Sequence, residues 1–167
     1  MRRGRVVTLD RVDDYRRPGW WTRRALNPLV AGLTRCGVSV WGSRLLTVRG
    51  RTTGQPRTTP VNVLTLAGGG RYLVAPRGDT QWVRNLRAAH SATLGHGSHH
   101  ETVAAAELPD EAKPEILRAY LRRWRLEVGV FFDGVGPAAP AAELQRIASA
   151  HPVFRIEPAP AAGAEHR

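Results

Sequence analysis

The stretch Leu45-Leu46-Thr47-Val48-Arg49-Gly50-Arg51-Thr52-Thr53-Gly54-Gln55-Pro56-Arg57-Thr58-Thr59-Pro60-Val61-Asn62-Val63-Leu64-Thr65-Leu66 decides the fold. Two runs rich in β-branched and apolar residues, 45–49 and 58–66, flank a segment with two glycines and a proline, the pattern of two strands joined by a tight turn. A third run, Tyr72 to Ala75, follows Gly68-Gly69-Gly70 and repeats it. Short β-rich runs punctuated this way predict a meandering antiparallel sheet or small barrel.

Working outward, Thr80 is expected to cap a helix reaching about Ala89. Trp82, Val83 and Leu86 form its apolar face, and Arg84 and Arg87 point away. Strands are expected near 91–95 and 101–107. Pro109-Asp110-Glu111 then opens a helix in which Ile116, Leu117, Tyr120, Leu121 and Trp124 recur at helical spacing. A short helix near 141–150 and a last strand near 152–156 complete the series. Upstream, Asn27-Pro28 has the form of an N-cap followed by proline at the first helical position, and Gly37 supplies a stop, so a helix is expected over 28–36. The expected organisation is a basic irregular arm over 1–21, one domain over 22–158 and a frayed tail over 159–167. No internal repeat interrupts it.

The 167 residues carry a formal net charge of +11, and Lys113 is the one lysine among 25 basic residues. Arginine's planar fork suits phosphate and carboxylate, so an anionic partner is expected. A coding preference for arginine would give the same count, which makes position the informative quantity. No apolar run approaches the ~20 residues that span a bilayer, and no signal-type stretch follows Met1-Arg2-Arg3-Gly4-Arg5, so the expected location is the cytoplasm. Cys36, the single cysteine, excludes an internal disulfide and is expected to be a packed thiol. Trp20, Trp21 and Trp41 stand with basic residues around the 28–36 helix. That combination suits peripheral contact with an anionic membrane surface, and core packing of the same tryptophans is the alternative.

Two clusters carry the chemistry. In the first, Gly50 to Arg57, the glycines permit backbone angles at which N–H groups converge, Thr52 and Thr53 add hydroxyls, and Arg51 and Arg57 add charge, which together suit a phosphate. A solvated hairpin loop would look the same. The second, Pro76-Arg77-Gly78-Asp79-Thr80-Gln81-Trp82-Val83-Arg84-Asn85-Leu86-Arg87, begins as a strand-to-helix corner whose unpaired N–H groups could face an anion or an electron-rich ring edge. Packing of Trp82 in the core is the plain alternative.

Together, in order and spacing, these clusters resemble the deazaflavin (F420)-dependent nitroreductase and F420H2-dependent quinone reductase family of the split β-barrel flavin-binding superfamily. The resemblance rests on a turn of the form G-R-x-[ST]-G-x-P-R, Pro60 on the following strand, Arg77-Gly78 after the third strand, and a W-x-x-N-L-[KR] helix at Trp82 to Arg87. It covers about residues 44–108. It implies an α+β, mainly β fold, a split β-barrel of about six antiparallel strands with flanking helices. It also implies reduced coenzyme F420 as hydride donor to a small-molecule acceptor such as a quinone, a nitroaromatic or an activated alkene, with FMN as the alternative cofactor.

By position, the resemblance assigns Arg57, Thr52 and Thr53 to the cofactor phosphate and Arg51, helped by Arg84, to its glutamate tail. Pro60, Asn62, Pro76, Arg77, Gly78, Gln81, Trp82 and Asn85 would shape the deazaflavin pocket. Thr52 stands where the family often has a basic residue, and Pro76 where it often has serine. Acceptor contacts in such folds come from the N-terminal arm and from the segment 124–136 with Phe131 and Phe132. Hydride transfer needs no catalytic triad, so no side chain is assigned as an obligatory acid. Tyr120 is a nearby donor whose simpler role is helix packing. A non-catalytic basic module binding nucleic acid or anionic membrane is the alternative class, and the ordered motifs argue against nucleic acid as a partner. Oligomeric state is not legible.

Gly95-His96-Gly97-Ser98-His99-His100 reads as a hairpin turn with exposed rings and no carboxylate or cysteine spaced to complete a metal site. Adding zinc is accordingly expected to leave the thermal midpoint of unfolding unchanged.

Overall fold

The computed structural model describes residues 43–160. The expected arm, the 28–36 helix, Cys36 and the tryptophans at 20, 21 and 41 lie outside the described residues. Six strands alternate with three helices: β1 (Ser43–Arg49), β2 (Pro56–Thr65), β3 (Arg71–Val74), α1 (Gln81–Ala89), β4 (Ser91–His96), β5 (His99–Glu107), α2 (Pro114–Val128), α3 (Ala141–Ala148) and β6 (Val153–Pro158). The strands close into a ring in the order β1-β2-β3-β6-β5-β4, antiparallel at every step. The expected barrel of about six strands with flanking helices is the observed architecture.

Alternation along the strands builds two apolar cores. Inward-facing Leu46, Val48, Val61, Leu73, Leu94, Val103, Phe154 and Ile156 fill the barrel, and Val83 and Leu86 of α1 join them. The outer face of β2, β3 and β6 contributes Leu64, Val74 and Val153 to a second core. There α2 lays down Leu117, Tyr120 and Leu121, and α3 adds Leu144 and Ile147. The helical spacing of the α2 residues thus marks the face that meets the barrel wall.

Three departures have local causes. Strand β2 begins at Pro56 rather than Thr58, because Arg49 and Pro56 still face each other in register across the turn. Thr80 is the N-cap of α1, but its side chain makes no capping bond. The chain after Pro109 first makes a 3-10 turn over Asp110–Ala112 and starts α2 at Pro114, whose missing N–H costs nothing at a first helical position. Buried Lys113 links that start to the end of α3, donating to Asp110 Oδ1 (2.6 Å) and to the Ala148 carbonyl (3.2 Å).

The helix α1 ends at His90, which takes a left-handed conformation (φ 54°) so that its N–H reaches the Leu86 carbonyl at 2.8 Å. Strands β4 and β5 form a hairpin through Gly97-Ser98, with His96 opposite His99 and the rings exposed. Ala159 stays attached to the barrel, its N–H donating to the Thr102 carbonyl at 2.9 Å. Among the described residues no helix is long and apolar enough to cross a membrane, and no group of three His, Cys, Asp or Glu side chains is placed to hold a metal.

Leu117 is fully buried between α2 and the barrel wall. Leu117→Ala should lower the unfolding free energy by about 2–5 kcal/mol, read as a lower urea midpoint with an unchanged slope.

Candidate functional site

The β1–β2 turn closes on itself. The Gly50 N–H donates to the Gln55 carbonyl (2.9 Å) and the Gly54 N–H to the Gly50 carbonyl (2.8 Å). A Cβ on Gly50 would stand 2.9 Å from the Gln55 oxygen, and Gly54 has φ +70°, so both positions need glycine. The two glycine amides therefore bond within the turn instead of converging outward, as the sequence had suggested. Donors left for an anion are the exposed hydroxyls of Thr52 and Thr53 and the exposed guanidinium of Arg57, which has no ion pair among the described residues.

Arg51 is bonded within the fold. Its guanidinium donates to Gln81 Oε1 (2.9 Å) and to Asn85 Oδ1 (3.0 Å), and its backbone N–H also reaches Asn85 Oδ1 (3.3 Å). Asn85 is buried at 5% exposure, so this charged partner satisfies a carbonyl that would otherwise be costly inside the fold. The turn and α1 are thereby pinned together, and three of the expected site residues meet each other directly.

The second cluster forms a tight corner between β3 and α1. Gly78 donates to the Ala75 carbonyl (3.0 Å), Thr80 donates to the Gly78 carbonyl (2.8 Å), and Gly78 has φ +73°. The Arg77 guanidinium lies over the Phe131 ring, 5.5 Å from its centroid. Half-buried Pro76 precedes it, and half-buried Trp82 packs on Phe154 (centroids 5.9 Å apart) against the barrel interior. Arg84, expected to help with an anionic tail, is bonded to Asp79 at 2.8 Å. Arg87 bridges Asp79 (2.7 Å) and Glu107 (2.6 Å). The Arg84 hydrogen bond, with the charge of both arginines, holds the Asp79 carboxyl below its usual range.

Pro60 and Asn62 face Leu45 and Ser43 across β1 and β2. Asn62 is buried, and its amide makes no hydrogen bond of ordinary geometry among the described residues, although it lies within interaction range of the Tyr120 hydroxyl. The Thr80 hydroxyl is likewise buried and unbonded. Burial pushes the Tyr120 hydroxyl's pKa up, against a smaller opposing pull from the Asn62 amide, so the phenol stays protonated beside it. The Tyr120 ring is packed at 4.8 Å from Trp124 and 6.3 Å from Phe132.

A groove of about 320 Å³ runs elsewhere, over the outer face of β1, β4 and β5 between Thr47, Arg49, Gly54, Pro56, Ser91, Ala92, Thr93 and Thr102. Gly54 and Pro56 of the glycine turn line it, and none of the residues the resemblance assigns to the cofactor does. Phe131's contact with Arg77 was foreshadowed only as an aromatic in the 124–136 segment. His151, whose ring stacks on Phe132 at 4.2 Å, carried no sequence signal at all.

The model of the family described as F420H(2)-dependent quinone reductase matches residues 14–128. The chain belongs to that family. The match contains the glycine turn, the corner and all of α1, and it ends before Phe131 and His151. No curated protein matches the chain. Among solved structures, one described as an F420-H2 dependent reductase (FDR-A) shares 18% identity and a TM-score of 0.51, over 72% of this chain and 97% of that one. The Atu2129 protein of Agrobacterium tumefaciens str. C58, of unknown function, shares 14% identity and a TM-score of 0.50 over 77% of this chain. The chain spans about half (53%) of that protein's length. These likenesses agree with the split β-barrel fold of the quinone reductase family.

Asn85→Ala removes the acceptor shared by the Arg51 side chain and backbone. It should cost about 1–3 kcal/mol of stability, measured by urea unfolding. It should also raise the protease sensitivity of the 50–55 turn.

Proposed function

We propose that the chain is a reductase that uses reduced coenzyme F420 to pass a hydride to an organic acceptor such as a quinone, a nitroaromatic or an activated alkene. The observation that carries this reading is the Arg51 pin. It joins, through bonds at 2.9 and 3.0 Å, two motifs that stand 30 and 34 residues apart in sequence and that the family resemblance assigns to one cofactor.

The residues fit such a group at both ends. Thr52, Thr53 and Arg57 remain available as donors to a phosphate, with Arg57 supplying charge. At the ring end, the buried Asn62 amide has the Tyr120 hydroxyl nearby but no hydrogen bond of ordinary geometry, and a bound ring edge carrying both N–H and C=O groups would supply one. Pro60 lies two residues before Asn62 on β2, and at the β3–α1 corner Pro76 and Gly78 are compact and Arg77 adds positive charge.

The bound coenzyme supplies the hydride, from one carbon of its ring. The protein's share is placement. Arg51 holds the turn against α1, so the phosphate donors and the ring corner keep a fixed relation, and rigid placement of this kind is what hydride transfer rewards. Protonated, buried Tyr120 keeps polar hydrogen close to Asn62 without offering an ionised group. No side chain is assigned as the acid; the proton that follows the hydride comes from solvent in this reading. The domain limits over 22–158 and a membrane contact through the basic, tryptophan-bearing N-terminal region are parts of the same proposal.

Titrating the purified chain with oxidised coenzyme F420 should give saturable quenching of the cofactor's fluorescence. Arg57→Ala should weaken that binding by about 1.5–3 kcal/mol, roughly 10- to 150-fold. Absence of binding at high micromolar cofactor, or equal binding of FMN, would overturn the assignment. An affinity that falls steeply with salt and ignores Arg57 would favour a general polyanion binder.

A further inference from the structure

The tripeptide Ala150-His151-Pro152, between α3 and β6, touches the β3–α1 corner at three successive residues. The Ala75 N–H donates to the Pro152 carbonyl at 2.9 Å. A Cβ on Gly78 would stand 3.0 Å from the Ala150 carbonyl oxygen, so the corner passes this segment closely, and the φ of +73° at Gly78 also favours glycine. Between these contacts lies the His151 ring, buried at 5% exposure, against the carbonyls of Ala75 and Pro76. Its other support is Phe132, stacked at 4.2 Å with the planes 24° apart. Phe131, next in sequence to Phe132, lies under the Arg77 guanidinium. One aromatic pair thus braces the corner from beneath, through His151, and holds its charged side chain above.

From this we infer that His151 is a positioning residue. It fixes the corner that carries Arg77 and Gly78, and so sets where the cofactor ring can lie. The inference rests on the cofactor reading given above. It concerns residues that the family match at 14–128 does not reach.

Protonation should loosen the brace. A second charge-bearing proton on a ring packed between Phe132 and the corner would have to be buried, and burial depresses the ring's pKa despite the pull of the Ala75 and Pro76 carbonyls. Of the charged groups facing it, Asp133 favours the protonated ring and Lys113 opposes it; Arg77 stands on the corner itself. Because the folded state holds the ring neutral, its contribution is fully present above the unfolded value of about 6.5 and is lost as pH falls below it.

The test compares full-length wild type, His151→Leu and Leu144→Ala, which truncates a fully buried side chain of the same apolar cluster. Hydrogen exchange of the Ala75, Gly78 and Thr80 amides is followed without cofactor, since each is bonded at the corner. In His151→Leu these three amides should exchange about tenfold faster relative to barrel amides, and affinity for oxidised coenzyme F420 should fall about tenfold. Leu144→Ala should lower the thermal midpoint without this selective loosening or loss of affinity. In the wild type, the unfolding free energy should decline as pH falls below about 6.5, and His151→Leu should remove that part of the decline.

Unchanged corner exchange and affinity in a folded His151→Leu would overturn the inference while leaving the cofactor reading intact. Corner loosening in a protein whose wild type binds no coenzyme F420 would support the brace and overturn the cofactor reading. Should His151→Leu fail to fold, His151→Gln takes its place, and unchanged corner exchange and affinity in a folded His151→Gln contradict the inference.

Discussion

Strand β2 has to serve two interiors at once, and the rest of the structure follows from how it does so. Val61 points into the barrel and Leu64 into the layer under α2, so the middle of the strand, from Val61 to Leu64, is covered on both faces. A polar residue between them must find a partner or carry the desolvation cost alone. Asn62 stands in that position with an unbonded amide. The surface at Asn62 is thus set by two cores.

Arg51 extends that constraint to the loops. A glycine turn that closes on its own amides has a fixed shape but no fixed position, whereas a charged bond to a buried carbonyl on α1 supplies one. The cost falls on Gln81 and Asn85, which are no longer open to a ligand through those oxygens. Charge on this face is divided accordingly. Arg84 and Arg87 are absorbed by Asp79 and Glu107, and Arg57 is left exposed for an anion.

Much of this was legible in the residues. The alternation of β2, the apolar face of α1 and the helical spacing from Ile116 to Trp124 report local periodicity, and local periodicity is what a sequence displays most directly. The two motifs were also visible, because glycine, proline and arginine mark turns and anion sites. Their mutual bonding was not. A pairing between Arg51 and Asn85 depends on how α1 lies across the barrel, and nothing in either segment names the other. Thr80 shows the same limit in small: its position as a cap was readable, while the loss of its capping bond depends on the corner before it. His151 was invisible because an isolated histidine before a proline has no pattern, and only the closed fold sets it on Phe132.

The ring of strands has one more implication. Since β1 pairs with both β2 and β4, every barrel strand has a neighbour on each side over at least part of its length, which shortens the backbone edge open to a foreign strand. Loops such as 129–140 can then vary in sequence to suit different small molecules without opening a route to fibrous polymerisation, which makes this scaffold a permissive one for changing chemistry at its rim.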